Sequence, residues 1–231
     1  MPYTFAPAPV PSVPVVGAVE RFPVHRIYCV GRNYVDHAQE MGFTGREPPF
    51  FFMKPADAIV PAPADEIATV AYPSLTNTLH HEVELVVAIG VGGRKIRATD
   101  AASHIFGYAV GLDMTRRDLQ NEMKKQGRPW CIGKGFDQSA PIGPITPASQ
   151  SGDINHADIT LQVNGQERQR GNLAHLIWTI AETIEQLSLA WELQAGDLIF
   201  TGTPAGVASV FEGDTLVGRV TGMAPLQIRL I

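Results

Sequence analysis

Cysteine is scarce. Cys29 and Cys131 are the only two among 231 residues, too few and too far apart for a disulfide framework, so a reducing cytoplasm is the expected setting. Long apolar runs are also missing: none approaches the roughly 18 residues that a membrane-spanning helix needs. Positive charge is not in excess. The formal net charge is −5, whereas a nucleic-acid partner normally demands a basic stripe. No block of like charges suggests an interaction tail. The opening stretch MPYTFAPAPVPSVPVVG has no charged leader followed by a continuous apolar segment, and its prolines would break such a helix. These absences argue against membrane and nucleic-acid partners and lead us to expect a soluble, cytoplasmic protein.

Turn residues are abundant instead. Gly (22) and Pro (18) exceed their usual combined share of roughly 12%. Without low complexity, that excess implies many short strands joined by tight turns. Residues 1–23 are Pro-rich and read as an extended arm on the body. Residues 24–231 show no long linker and no internal repeat, so they read as one domain of α+β class, with strands dominant and a few short helices.

Residues 24–30, VHRIYCV, predict a strand, with Cys29 as core filler. Asn33 and Asp36 then cap a short helix that ends before Gly42. Residues 81–89, HEVELVVAI, predict a strand that starts polar and ends buried. Thr99 caps a short helix over 100–106. A strand over 107–112 delivers Asp113, and Thr115 with Asp118 starts a helix through Lys125, stopped by Gly127. Asn164-Gly165 is a strong hairpin signal. Leu173, Leu176, Ile177, Ile180, Ile184 and Leu187 follow the spacing of one amphipathic helix. Residues 197–201 and 226–231 predict further strands.

Glu82 and Glu84 carry the first chemical signal. Two apart in a strand, they share a face. Like charges so placed repel unless a cation sits between them, and hard oxygen ligands suit Mg²⁺, Mn²⁺ or Ca²⁺. Asp113, ending another strand, could add a third carboxylate; the bland alternative is an edge strand with two solvated glutamates. His80 and His81 face opposite sides of a strand, so both cannot easily join one site. His37 and Glu40 are three apart on the short helix, a spacing that lets a carboxylate hold an imidazole as a general base. Lys134 lies between Gly133 and Gly135 in an expected loop and could stabilise developing negative charge. The flanking pattern is not a phosphate-binding loop. Arg32, Lys54, Arg117, Gln120 and Lys134 are candidate contacts for an anionic substrate.

In order along the chain come Gly31-Arg32-Asn33-Tyr34, His37, Glu40, Lys54-Pro55, His81-Glu82-Val83-Glu84-Leu85, Gly107-Tyr108 and Leu112-Asp113-Met114-Thr115-Arg116-Arg117-Asp118. Pro129-Trp130, Lys134, Val163-Asn164-Gly165 and Thr201-Gly202-Thr203-Pro204-Ala205-Gly206-Val207 follow. This ordered set resembles the fumarylacetoacetate hydrolase family, in its short acylpyruvase-like branch. The resemblance implies a mixed β-sandwich roll, a homodimer, and Mg²⁺ or Mn²⁺ held by Glu82, Glu84 and Asp113. It implies that His37 with Glu40 activates water and that Lys134 stabilises charge beside the metal. It further implies that Arg32, Gln120 and Thr203 line a pocket for a small anionic keto acid, with Lys54 as another contact.

The implied reaction is cleavage of a carbon–carbon bond in an acylpyruvate. The Pro-rich N-terminus and the Arg46-Glu47-Pro48-Pro49-Phe50-Phe51-Phe52 stretch lean toward fumarylpyruvate, giving fumarate and pyruvate, and residues 42–48 could form a lid. Oxaloacetate decarboxylation, maleylpyruvate hydrolysis and keto–enol isomerisation share the metal and the enolate. A cupin-like metal dioxygenase, using His80 or His81, is disfavoured by three hard oxygen ligands.

Overall fold

The computed structural model describes residues 2–34 and 46–231. His37, Glu40, the expected short helix up to Gly42 and residues 42–45 of the expected lid lie outside the described residues.

An eight-stranded mixed sheet forms the floor of the fold. Its path runs Phe50–Lys54, Ile27–Gly31, Leu198–Phe200, Val83–Ile89, Ile105–Leu112, Ala140–Ile142 and Ile59–Pro61, and Thr146–Pro147 pairs with Ile105–Leu112 off that path. A five-stranded sheet, in the order Gln166–Asn172, Asp158–Val163, Thr215–Val220, Leu226–Leu230 and Ala68–Val70, packs against it. Leu85, Val87, Val110 and Leu112 of the first sheet share one core with Ile159, Leu161, Leu216 and Ile228 of the second. A strand-dominated, curled mixed β architecture with few helices is what the sequence led us to expect.

The large sheet is buried on both faces. Val86, Ala88, Ala109, Leu198 and Phe200 point away from the first core into a second one. Part of its cover comes from the N-terminal region, where Ser12–Pro14 pairs with Arg21–Pro23 and buries Val13 and Phe22. Backbone bonds of 2.9 Å from Val16 N to Ile145 O and 2.8 Å from Ile145 N to Pro14 O tie it down. The second half of the Pro-rich segment is thus a hairpin built into the body. Two-sided burial also corrects the expectation of a strand that begins polar: Val83–Ile89 is buried at every position, because it lies between Leu198–Phe200 and Ile105–Leu112.

Three helix expectations shift for local reasons. The long helix is Ile180–Ala190, started by a capping box of Thr179 and Glu182. It does not reach back to Leu173, because the Ile177 and Trp178 N–H groups donate to the Asn33 carbonyl and side chain and Leu176 bridges to Tyr34. The Asn33 side chain, expected to cap a helix, also donates to the carbonyls of Trp178 and Thr201. The helix expected from Thr115 is Arg117–Lys125 without a side-chain cap. Asp118 accepts from Thr76 Oγ1 and the Asn77 and Leu119 N–H groups. The segment after Thr99 is a single 3-10 turn, Ala101–His104, with no side-chain cap. Asn164-Gly165 behaves as expected: both residues have positive φ, 51° and 77°, as a two-residue type I′ hairpin turn requires.

Leu85 is fully buried between the two sheets. Leu85→Ala should lower the free energy of unfolding by about 2–5 kcal/mol, read from the midpoint and slope of a urea unfolding curve.

Candidate metal centre and substrate pocket

The two-residue alternation of the large sheet places the acids. Leu85 and Val87 face the first core, so Glu84 shares the opposite face with Val86 and Ala88. On the neighbouring strand Val110 and Leu112 face the first core, which sends Asp113 to the face of Glu84. Glu82 precedes its strand by one residue, and its carbonyl accepts the Asp113 N–H at 2.9 Å. Glu82, Glu84 and Asp113 are all buried, and one carboxylate oxygen from each lies within 4.8 Å of the others.

Three cations answer two of these acids. Lys134 Nζ donates to Glu82 Oε2 at 2.8 Å and to Asp113 Oδ2 at 2.6 Å. Arg117 donates to Glu82 Oε1 through Nη2 and to Gln120 Oε1 at 2.5 Å through Nη1. Lys54 Nζ is 2.8 Å from Asp113 Oδ1, yet it spends its hydrogen bonds on the carbonyls of Met114 and Lys134. Asp113 Oδ1 is therefore a buried oxygen without an aligned hydrogen bond. Glu84 Oε2 accepts the Gly202 N–H at 2.8 Å. Gly202 stands at φ +100°, and a Cβ there would sit 2.8 Å from Asn33 Cβ, so this turn needs glycine to present that N–H.

Electrostatics separates the acids. Burial alone would raise the Glu82 carboxyl, but Lys134 and Arg117 outweigh it and hold it well below the usual range. Burial pushes Glu84 well up, and the charges of Asp113 and Glu82 push it further. Burial works to lower Lys134, but Asp113 and Glu82 overcome it and keep the ammonium charged. Burial and the nearby Arg117 push His80 down to about 4, so its Nδ1 is free to accept from Arg117 Nε at 3.2 Å. A buried cluster of three carboxylates, one of them resisting ionisation and another with an unaligned oxygen, fits a hard divalent cation.

These groups form the floor of a pocket that opens to solvent. Arg32, Gln120 and Thr203 line it, as do Phe50, Phe52 and Trp130. Arg32, held at φ 55°, lies with its guanidinium 5.1 Å from the Phe50 ring centre. The Thr203 hydroxyl is committed internally, donating to the Val83 carbonyl at 2.8 Å. Lys54, expected to touch substrate, is instead fully buried against Asp113 and does not line the pocket. Lys134 is the last residue of a short helix, Cys131–Lys134, and not part of a loop. Gly133 packs on Gln120, where a Cβ would come within 2.9 Å of its backbone N.

Sequence reasoning undervalued Arg117, which bonds Glu82, Gln120 and His80 at once, and missed Gln169. Gln169 is polar at a core-facing position of a hairpin, and its own alternation carries no signal of that placement.

The chain is similar to known proteins over nearly its whole length. The family model "Fumarylacetoacetate (FAA) hydrolase C-terminal" matches residues 26–231. A crystal structure of fumarylpyruvate hydrolase from Pseudomonas aeruginosa, in complex with Mn²⁺ and pyruvate, is 55% identical. It superposes with a TM-score of 0.97, covering 100% of this chain and 99% of that one. A fumarylpyruvate hydrolase of a Ralstonia species is 44% identical over 182 residues, 79% of this chain and 92% of its own. An oxaloacetate tautomerase of Escherichia coli is 41% identical over 207 residues, 89% and 93% of the two chains.

Lys54→Met would leave Asp113 buried beside one cation fewer. It should reduce the stability of the metal-free protein by about 3–5 kcal/mol, measured by urea unfolding in the presence of a chelator.

Proposed function

The chain belongs to the fumarylacetoacetate hydrolase family, and we propose that it hydrolyses an acylpyruvate, with fumarylpyruvate the preferred substrate and fumarate and pyruvate the products. The observation that carries this reading is the convergence of Glu82, Glu84 and Asp113 within 4.8 Å beneath a pocket walled by Arg32, Arg117 and Gln120. A cation-binding floor and cationic walls suit a substrate whose carboxylate and adjacent keto oxygen must be held together.

The pocket also favours an elongated acyl arm. Phe50, Phe52, Trp130 and Lys134 also border a second groove, whose lining includes Arg128. An unsaturated chain with a terminal carboxylate matches an apolar wall that ends in a guanidinium. The full-length similarity to fumarylpyruvate hydrolase, at 55% identity, supports the same substrate over the oxaloacetate handled by a relative at 41%.

Glu82, Glu84 and Asp113 would hold Mg²⁺ or Mn²⁺, whose Lewis acidity would polarise the substrate carbonyls. Arg32 and Arg117 orient the keto-acid end, and Gln120, fixed by Arg117, offers its amide beside it. His37 with Glu40, the pair that the family resemblance implies as the base, would take a proton from water. The resulting hydroxide adds to the distal acyl carbonyl. The bond from that carbon to the methylene then breaks, and its electron pair leaves on the pyruvate fragment as an enolate. The Lys134 ammonium, beside Glu82 and Asp113, would stabilise that charge as it develops, an effect that grows toward the transition state. Proton transfer to the enolate carbon releases pyruvate, and fumarate carries away the oxygen of water.

Purified protein with Mn²⁺ and fumarylpyruvate should lose the ultraviolet absorbance of the substrate while releasing one pyruvate per substrate, read through a coupled dehydrogenase. Chelation should stop both signals and added Mn²⁺ should restore them. Glu82→Gln should lose Mn²⁺ binding and turnover together, whereas His37→Ala should keep Mn²⁺ binding and lose about a hundredfold or more in kcat. Intact fumarylpyruvate, beside rapid interconversion of the keto and enol forms of oxaloacetate, would assign the chain to the tautomerases instead.

A further inference from the structure

Gln169 is a buried residue in an exposed edge strand. Within Gln166–Asn172 its neighbours Arg168 and Arg170 face solvent, while Gln169 is 1% exposed. A two-residue turn at Asn164-Gly165 alone would set Arg168 opposite the core residue Leu161. The register slips instead: Gln162 pairs with Glu167, but Leu161 pairs with Gln169. Arg168 is the extra residue of a β-bulge, a device that re-aims side chains. Here it turns an amide inward in place of a guanidinium.

All four hydrogen-bonding positions of that amide are used. Nε2 donates to the Pro204 carbonyl at 2.9 Å and to Thr203 Oγ1 at 2.8 Å. Oε1 lies 3.1 Å from the Val83 N–H and 2.8 Å from His81 Nδ1. The orientation is forced, because the Pro204 carbonyl can only accept and the Val83 N–H can only donate. His81 must then donate from Nδ1, which fixes its tautomer. Thr203 closes the circuit by donating to the Val83 carbonyl.

The two segments joined in this way are those that position the acids. His81 and Val83 flank Glu82. Thr203 and Pro204 follow Gly202, whose N–H binds Glu84. We propose that Gln169 is a positioning residue that clamps the Glu82 segment to the Gly202 turn and so sets the separation of Glu82 and Glu84. The inference rests on the reading of these acids as cation ligands. Gln169 itself does not line the pocket and makes no hydrogen bond to the acids; it meets the lining only through Thr203. Loss of such a support behind a ligand typically weakens metal binding by about 10–100-fold.

The test compares wild type, Gln169→Met, Gln169→Asn and the solvent-side control Arg170→Met. Gln169→Asn keeps the amide but withdraws it by one methylene. Mn²⁺ affinity is measured by titration calorimetry, with kcat and KM on fumarylpyruvate and urea midpoints alongside. Both Gln169 variants should bind Mn²⁺ at least about tenfold more weakly and lose kcat more than they raise KM, while Arg170→Met matches wild type. If one variant does not fold, the other carries the comparison. Unchanged Mn²⁺ affinity in a folded Gln169 variant, with or without a lower urea midpoint, overturns the proposal and leaves Gln169 a purely structural residue. Should wild type bind no Mn²⁺, the metal reading itself fails, and amide exchange at Val83 decides the clamp. Faster exchange in Gln169→Asn upholds it, and an unchanged rate overturns it.

Discussion

Three carboxylates buried within 4.8 Å of one another are the constraint around which the rest of this structure is arranged. Each acid taken from water needs compensation, and their mutual repulsion grows as the surroundings become drier. Lys54, Lys134 and Arg117 supply that compensation from three separate parts of the chain. They do so unevenly. Glu82 and Asp113 receive ion pairs, whereas Glu84 is held by a backbone N–H and keeps its proton more readily than a free glutamate. A cluster poised in this way gains most from a cation that enters last.

Sheet geometry makes the cluster possible. The period of two sends Glu84 and Asp113 to one face of adjacent central strands. Lys54 arrives on the same side at the end of an outer strand, beyond Phe52 in the second core. Core residues on the opposite face of the large sheet close off the acids from below. Gly202 and the Gln169 amide then fix the turn that brings a backbone N–H to Glu84. The fold is thus a means of holding an electrostatically unfavourable group of acids still.

Legibility in the sequence followed the range of the forces involved. The hairpin at Asn164-Gly165 was readable because its φ requirement is local. The Glu82 and Glu84 pair was readable because strand alternation is local too. Asp113 joined them only through the ordered set of flanking motifs, since no spacing rule links two distant strands. The start of the Ile180–Ala190 helix was misplaced because Asn33, remote in sequence, captures the N–H groups of Ile177 and Trp178. Lys54 was read as a substrate contact because a lone lysine carries no sign of burial. Gln169 was invisible because a one-residue bulge decides which side of its strand it faces.

The central claim is that Glu82, Glu84 and Asp113 together hold a divalent cation. Anomalous diffraction at the manganese edge, from crystals grown with Mn²⁺, tests it most directly. A single strong peak is expected within bonding distance of one oxygen from each of the three carboxylates. A pocket without that peak, or manganese bound elsewhere while Lys134 still bridges Glu82 and Asp113, would contradict it.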